Sequence, residues 1–291
     1  MRKCLSLLFL FLISNVFSQE NEYFIDANFD VNNRLVEIYQ TIDFTNTTSN
    51  SLNYIILNDW AHSYSNPKTP LGKRLSEDFT LNFQRSTKNQ RGFTNIIHIK
   101  SDSIILEHTR LKVNIDLVKV KLSNALKPNQ KIKINIKYKI KIPVSDFTGY
   151  GIDKENNINL SEWFITLAKV VDNDWLIESN LDLNDNSLDP SFYKFKITYP
   201  LKFKLISDFK IDSVITSDTF KTLISEKEKR IYNPIIITNK KSFESFKLKN
   251  NTVISDIVNI KKNKTDSLIY KVISYVDNKT GNKLISKPDS K

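Results

Sequence analysis

The sequence is poor in the residues on which most recognisable catalytic motifs depend. Its 291 residues include one cysteine, one methionine, three histidines and five glycines. With so few glycines, no phosphate-binding loop or dinucleotide fingerprint can be drawn, because both need several glycines at fixed spacing. The Gly-x-Ser-x-Gly sequence of a hydrolase nucleophile is also absent. Several large enzyme classes are therefore excluded by composition alone.

The three histidines do not form a metal-binding motif. His62, His98 and His108 are followed by Ser, Ile and Thr, so none begins a His-Glu-x-x-His pair. That pair places two imidazoles on one helix face, with a general base between them. His98, His108 and Glu107 could form a cluster on a hairpin, but such side chains are more often ordinary surface residues. We predict no catalytic residue and no metal ligand in this chain.

The only cysteine, Cys4, lies in a segment that resembles an export signal. Arg2 and Lys3 precede a mostly apolar run over 5–17, which is too short to span a bilayer. We predict a signal peptide over 1–18, cleaved after Ser18, and a periplasmic or extracellular protein; the alternative is a membrane anchor. No later stretch is apolar and long enough for a stable membrane span. Cleavage removes Cys4, which excludes disulfides and Cys-ligated zinc from the exported chain.

The net charge of +11 raises the question of a nucleic-acid partner. The lysines are spread along the chain and interleaved with Asp and Glu, and arginine, the commonest base-reading side chain, is scarce. A nucleic-acid-binding face would need the cations to be clustered. We therefore predict no nucleic-acid partner and interpret the charge as serving general solubility, with polyanion binding as the alternative.

The hydrophobic pattern predicts a mainly β protein. Polar and apolar residues alternate along most of the chain, which is the period of a half-buried strand. In the clearest strand, 131–142, the even positions are apolar and the odd positions are nearly all lysine. We interpret the lysine face as a solvated outer face, with an anion-binding face as the alternative. Between Leu117 and Val118 the alternation changes phase, which predicts a bulge or a strand end.

Helical periodicity is rare in this sequence. Two helices are predicted, over 70–83 and 266–275, from apolar residues that recur every three to four positions. A hairpin is predicted from 96–100 to 104–108, with the turn at 101–103. The predicted fold class is therefore an antiparallel β-sheet or sandwich domain with a short helical tail at the C-terminus.

The segment 58–74, Asn-Asp-Trp-Ala-His-Ser-Tyr-Ser-Asn-Pro-Lys-Thr-Pro-Leu-Gly-Lys-Arg, carries a family resemblance. It is similar to a loop of the M1-family (gluzincin) zinc aminopeptidases, especially the secreted Bacteroidetes members. In that loop a Trp-containing stretch precedes an Ala-Tyr-Ser-like turn and a T-x-L-x-K run. The matching positions here are Trp60, Tyr64, Thr69, Leu71 and Lys73.

Four further segments resemble the same family in the same order. The stretch 38–46 is similar to its I-x-Y-x-N strand, and 91–93 to its R-G-x-I turn. The stretch 125–130 is similar to its L-x-P-G-x turn, with Asn129 where glycine is usual. The stretch 150–164 is similar to its G-x-x-x-x-W-[FY]-P element, but Ile165 follows the aromatic pair where the family has proline.

The resemblance spans about 23–256 and implies the N-terminal β domain of these enzymes. That domain is a saddle-like, mostly antiparallel structure that packs against the catalytic domain. Beside its W-[FY]-P element it supplies an amide or carboxylate that helps to hold the substrate's free α-amino group. Glu162 falls beside that position, and a carboxylate is suited to bind an ammonium. The alternative for Glu162 is a solvated side chain at a strand end.

The resemblance also implies the domain organisation. Residues 19–256 correspond to the β domain and 257–291 to the start of a catalytic domain, and the chain ends before the exopeptidase motif and the His-Glu-x-x-His helix that binds zinc in intact family members. We therefore expect a truncated, non-catalytic domain that is inactive alone, has no cofactor, and partners a peptidase catalytic domain or a peptide. The alternative is a stand-alone secreted β module for protein or peptide binding.

Overall fold

The computed structural model describes residues 20–181 and 188–239, the strands over 244–248 and 251–255, and the helical positions 271, 272, 275 and 279. The fold is mainly β, with 49% of residues in strands and 8% in helices, which confirms the predicted fold class. The chain divides into two compact units, Met1–Thr238 and Asn239–Lys291. The boundary predicted at Asp256 falls outside the described residues and stays a prediction. Among the described helices, none has the length and apolar character needed to cross a bilayer.

The elements are numbered in chain order. The strands are β1 (Glu22–Asp30), β2 (Leu35–Thr45), β3 (Leu52–Asn58), β4 (Phe93–Ser101), β5 (Ile104–Ile105), β6 (His108–Arg110), β7 (Leu117–Leu126), β8 (Lys131–Lys141), β9 (Gly151–Ile152), β10 (Ile158–Leu160), β11 (Thr166–Leu167), β12 (Val170–Val171), β13 (Asp174–Trp175), β14 (Ser191–Pro200), β15 (Lys204–Ile206), β16 (Ile211–Thr216), β17 (Phe220–Ser225), β18 (Glu228–Arg230), β19 (Ile235–Thr238), β20 (Glu244–Leu248) and β21 (Asn251–Ser255). A 3-10 helix covers Trp60–Ser65, and an α-helix, α1, covers Pro70–Glu77.

Three sheets account for most of these strands. The largest has the order β16-β17-β14-β1-β2-β8-β4-β5, with β18 also paired to β14. Its neighbours are antiparallel except for the parallel pair β1 and β14. Two four-stranded sheets have the orders β15-β19-β10-β9 and β11-β3-β7-β6, and β12-β13 and β20-β21 form separate pairs. The antiparallel hairpins are the expected product of short polar turns between alternating strands.

Strand β8 has the two faces that its sequence predicts. Its even-numbered side chains over 134–140 are buried, and its lysines lie on the opposite face. That face is paired with acids of β2: Lys133 Nζ lies 3.6 Å from Asp43 Oδ1, and Lys137 Nζ lies 3.5 Å from Glu37 Oε1. The lysine face is therefore largely charge-compensated within the sheet, which supports its interpretation as an outer face.

Two local predictions are tested by the described strands and helix. The predicted strand end is confirmed, because β7 begins at Leu117 and both Leu117 and Val118 are buried. The helix predicted over 70–83 begins at Pro70, but it ends at Glu77, six residues early. Phe79, assigned to its apolar stripe, has a φ of 58° and is 90% exposed. A left-handed residue just after a helix terminates it, as at a C-cap. The helix predicted over 266–275 lies mostly outside the described residues.

An aromatic cluster fills the core beside the parallel strands β1 and β14. The rings of Tyr23 and Tyr193 stack at 4.8 Å, and those of Phe195 and Phe209 at 4.4 Å. Phe164 packs edge-on against Tyr193 at 5.7 Å. Such pairs contribute about 0.5–1.5 kcal/mol each beyond their buried area. The cluster therefore anchors the segment that carries Phe164 to the large sheet.

Candidate functional site

Residues 161–165 connect two different sheets, and both ends of this connection are fixed. On one side Leu160 of β10 pairs with Ile235 of β19. On the other side Leu167 of β11 pairs with Leu57 of β3. The connection has five residues, and the paired strands at its two ends restrict its conformation. This connection, called the crossover below, carries the predicted site residue Glu162.

Glu162 has an unusual backbone conformation. Its φ is 48°, in the left-handed region. For a residue with a Cβ this region costs about 1–2 kcal/mol. Such conformations persist where the surrounding structure imposes them, and they are often found at functional sites.

The Glu162 side chain is enclosed, yet its carboxylate has no partner. The residue is only 3% exposed, and neither carboxylate oxygen has a hydrogen-bond partner among the described residues. Burial raises the pKa of this carboxyl from 4.5 to about 7. The alternative predicted from sequence, a solvated side chain at a strand end, is therefore wrong. The structure instead contains a buried acid that is poised to ionise near neutral pH.

The groups electrostatically coupled to Glu162 are tyrosines. Burial is the main cause that raises the pKa of Tyr150 and of Tyr193, and the negative charge of Glu162 adds to it for both. Tyr150 is 4% exposed, and its hydroxyl also has no hydrogen-bond partner among the described residues. Within that same part of the chain, no cation lowers the pKa of Glu162. The surroundings thus disfavour the ionised carboxylate and offer it no counter-charge.

Trp163 and Phe164 fix the crossover on the far side of Glu162. The indole nitrogen of Trp163 donates to the backbone oxygen of Asn233 at 3.1 Å, and its ring packs against Phe29 at 5.7 Å. The Phe164 ring packs against Trp163 at 5.2 Å. Both side chains are buried. The aromatic pair that carries the family resemblance therefore acts here as a structural anchor.

A closed ring of hydrogen bonds holds the next residue, Ile165. The Tyr138 hydroxyl donates to Gln40 Oε1, and Gln40 Nε2 donates to the Ile165 backbone oxygen. The Ile165 backbone N–H in turn donates to the Tyr138 hydroxyl at 3.1 Å. Ile165 stands where the resemblance implies proline, a residue without an N–H. The additional N–H is therefore satisfied by Tyr138 rather than left unpaired in the core.

Sequence analysis did not identify Gln40 and Tyr138 as site residues. A signal was nevertheless present, because Gln40 occupies an inward position of β2 between Ile38 and Ile42, where apolar residues are expected. A polar side chain at a core-facing strand position must find hydrogen-bond partners. Its partner, the Ile165 peptide, is 125 residues away in sequence, so the identity of the contact could not be predicted.

The 58–74 segment supplies buried structural anchors. Asp59 accepts hydrogen bonds at 2.6 Å from both the Thr94 hydroxyl and Arg110 Nη2. The Thr94 backbone N–H donates to His62 Nδ1 at 3.1 Å. Burial lowers the pKa of His62 to about 4. This histidine is therefore a neutral hydrogen-bond acceptor at physiological pH.

The described residues do not offer a metal centre. Within the portions of the chain that the structure describes, no group of three or more His, Cys, Asp or Glu side chains is placed to hold an ion. The zinc of the aminopeptidases thus finds no suitable donors among these residues, the cluster considered for His98, Glu107 and His108 included.

The fold itself is shared with known proteins. An M1 zinc metallopeptidase from Deinococcus radiodurans matches 88% of this chain at a TM-score of 0.50 and 12% identity. The chain has a fold similar to the N-terminal β domain of M1 zinc metallopeptidases. It spans 52% of that enzyme's chain, about half of its length. A mutant of the same enzyme bound to a Tyr-Ser-Ala substrate matches at 0.49 and 13% identity, over 88% of this chain and 53% of the other. No protein-family model and no curated protein matches this sequence.

The structural likeness confirms the resemblance at the level of fold. The recognisable segments 58–74 and 150–164 fold as parts of one β domain, in the order that the resemblance implies. At 12% identity the likeness establishes architecture and leaves the role of Glu162 to be argued from its own surroundings.

Proposed function

We propose that this chain is the non-catalytic N-terminal β domain of an exported M1-like zinc aminopeptidase, and that Glu162 holds the free α-amino group of the substrate. The observation that carries the proposal is the enclosed carboxylate of Glu162, which lacks any hydrogen-bond partner among the described residues. A buried ionised carboxylate without a partner is strongly unfavourable. An ammonium offsets that cost, because it supplies both the opposite charge and hydrogen-bond donors.

The electrostatics of the site favour a ligand that brings its own positive charge. Because burial holds the pKa of Glu162 at about 7, the free site is largely protonated below neutral pH. An ammonium must displace that proton, so its binding should strengthen as the pH rises toward about 7 and weaken again above the pKa of the α-amino group, about 7.7–8.0. A blocked terminus such as an acetylated amine carries no charge and gains nothing from the carboxylate. The proposed site therefore selects free amino termini.

The site is closed in the free chain, which places a condition on binding. Less than 1 Å² of each carboxylate oxygen is exposed. An amine reaches Glu162 only when this side chain, or a side chain that covers it, turns away. Binding should therefore be slower than a diffusion-limited encounter, because a conformational step precedes it.

The test compares a ligand that has a free amino terminus with one whose amino terminus is acetylated and therefore uncharged. Isothermal titration of residues 19–291 with L-phenylalanine amide and with its N-acetyl derivative should show binding of the free amine alone. Glu162→Gln preserves the size of the side chain and should abolish the difference between the two ligands. Glu107→Gln, at a side chain 73% exposed, is the matched control and should retain it. Equal binding of both ligands, or an unchanged preference in Glu162→Gln, would contradict the proposal.

The zinc chemistry of the proposed enzyme belongs to its catalytic domain. Residues 19–291 should therefore show no zinc-dependent release of amino acids from aminoacyl amides. The measurement is a release assay with added zinc, repeated in the presence of a chelator. Chelator-sensitive activity together with stoichiometric bound zinc would show that the chain carries a catalytic site of its own.

A further inference from the structure

We propose that Gln40 and Tyr138 are positioning residues for Glu162. Their side chains clamp the Ile165 peptide and thereby hold the crossover in the conformation that keeps the Glu162 carboxylate enclosed. The inference rests on the proposed function in treating Glu162 as the binding group. It concerns the arrangement of this chain's own residues, however, and it is tested without any ligand.

The clamp is a closed ring of three hydrogen bonds, in which each of the three residues both donates one bond and accepts one. The hydroxyl of Tyr138 donates to Gln40 and accepts from the Ile165 N–H, while Gln40 donates to the Ile165 carbonyl. Because Gln40 uses its oxygen and its nitrogen at once, the amide cannot be turned over without losing both bonds. Gln40 is 2% exposed, and Tyr138 and Ile165 are fully buried. Without competing water, such a ring fixes one peptide orientation.

The ring lies at strand positions where apolar side chains are expected. Gln40 and Tyr138 lie on the inward faces of β2 and β8, among isoleucine, valine and phenylalanine side chains. The strands pair in a register that sets Gln40 opposite Ile136 and Tyr138 opposite Ile38, so the two polar side chains are diagonal neighbours. Apolar residues at these positions would pack in the core, but they would leave the buried N–H and carbonyl of Ile165 without these partners. The polar pair instead reaches across to the crossover.

Glu162 lies between two fixed points, and the ring supplies one of them. On the N-terminal side, Leu160 is paired with Ile235 in the β10–β19 ladder. On the C-terminal side, the Trp163 side chain is held by its bond to the Asn233 backbone oxygen, and the first peptide whose backbone groups are held by hydrogen bonds is that of Ile165. The left-handed φ of Glu162, 48°, is a strained backbone conformation that the short connection between Leu160 and Ile165 imposes. When the clamp on Ile165 is removed, Glu162 can relax to an ordinary φ and its carboxylate can reach water.

Tyr23 provides a matched control within the same segment. Its hydroxyl also accepts a backbone N–H, that of Leu167 at 3.1 Å, and Tyr23 is 4% exposed. Leu167 is independently held by its pairing with Leu57 in β11 and β3. Tyr23→Phe therefore removes the same kind of bond two residues farther on, but the crossover keeps its anchor at Ile165.

The experiment follows the titration of Glu162 by ¹³C NMR of glutamate-labelled residues 19–291. The signal is assigned by its loss in Glu162→Gln. The wild-type carboxyl should titrate near a pKa of 7, as burial dictates. In Tyr138→Phe the pKa should fall most of the way toward the ordinary value of 4.5, and in Tyr23→Phe it should stay near 7.

Three outcomes overturn the inference. These are a folded Tyr138→Phe protein with an unchanged Glu162 pKa, an equal fall in Tyr23→Phe, and an ordinary pKa in the wild type. Gln40→Met removes two of the three ring bonds at similar volume, and it takes the place of Tyr138→Phe if that variant does not fold. Failure of the proposed function is distinguishable, because the wild type would then not bind the amide while the pKa pattern remained as expected.

Discussion

Replacing Glu162 by glutamine should change how the stability of this protein depends on pH. Burial raises the pKa of the Glu162 carboxyl from 4.5 in the unfolded chain to about 7 in the folded one. Between these values the unfolded state releases a proton that the folded state retains. The contribution of Glu162 to the free energy of unfolding therefore falls as the pH rises through this window, and the loss is complete above about pH 7. The pKa shift of Glu162 corresponds to a total loss of about 3 kcal/mol in the free energy of unfolding.

Glutamine cannot ionise, so Glu162→Gln should lack this loss. Its own buried amide costs some stability, but that cost is the same at every pH. The assay is urea denaturation followed by tryptophan fluorescence, in steps from about pH 5 to about pH 8. Relative to the wild type, the variant should gain roughly 2–3 kcal/mol across that range. Glu107→Gln, at an exposed side chain, should show no such trend.

If the stability difference between wild type and Glu162→Gln is the same at both ends of the pH range, the carboxyl titrates normally in the folded protein. Glu162 would then be solvated, and neither its enclosure nor its need for a cationic partner would hold.

Three further predictions concern the scaffold, and each is measured by denaturation. Asp59→Asn should lower the free energy of unfolding by about 2 kcal/mol, because Arg110, only 26% exposed, loses its counter-charge; Glu107→Gln should change it by less than about 0.5 kcal/mol. Asn129→Ala should cost about 1 kcal/mol, because alanine must adopt the φ of 61° found there, whereas Asn129→Gly should cost nothing. Because burial lowers the pKa of His62 from 6.5 to about 4, the contribution of this residue to stability should be lost as the pH falls between these values, opposite in sign to the Glu162 contribution, so the stability of His62→Gln relative to wild type should rise as the pH falls.

Each of these predictions has its own contrary result. Equal losses in the free energy of unfolding in Asp59→Asn and Glu107→Gln would mean that the Asp59–Arg110 pair stabilises the fold no more than an exposed ion pair does. Equal stability of Asn129→Ala and Asn129→Gly would remove the left-handed turn as the reason for asparagine at this position. A stability difference between His62→Gln and wild type that does not change with pH would mean that His62 does not titrate differently in the folded and unfolded chains.

The sequence was most informative where apolar and polar residues alternate strictly, because that spacing fits a strand and no helix. The alternation over 131–142 predicted both faces of β8, because a strand places successive side chains on opposite sides and this pattern has no helical alternative. The helix over 70–83 was predicted too long for a related reason. Phe79 fits the apolar spacing of a helix, but spacing alone does not show that the backbone turns left-handed at that residue.

The site was predicted only in part, for a reason that lies in its geometry. The resemblance pointed to Glu162, but its burial depends on packing between sheets whose strands are far apart in sequence. The polar ring of Gln40 and Tyr138 depends on a contact spanning 125 residues. The Asn129 departure from glycine could be understood in advance, because asparagine tolerates the left-handed conformation that the turn adopts.

The measurement that tests the central claim most directly is the pKa of Glu162 with and without a free-amine ligand. The carboxyl should titrate near 7 in the free chain, and saturation with L-phenylalanine amide should bring its pKa below its ordinary value of 4.5, because the ammonium stabilises the ionised form. N-acetyl-L-phenylalanine amide should leave the pKa where it was. A Glu162 pKa that is unchanged by saturating free amine, or changed equally by both ligands, would contradict the claim that this carboxylate recognises an amino terminus.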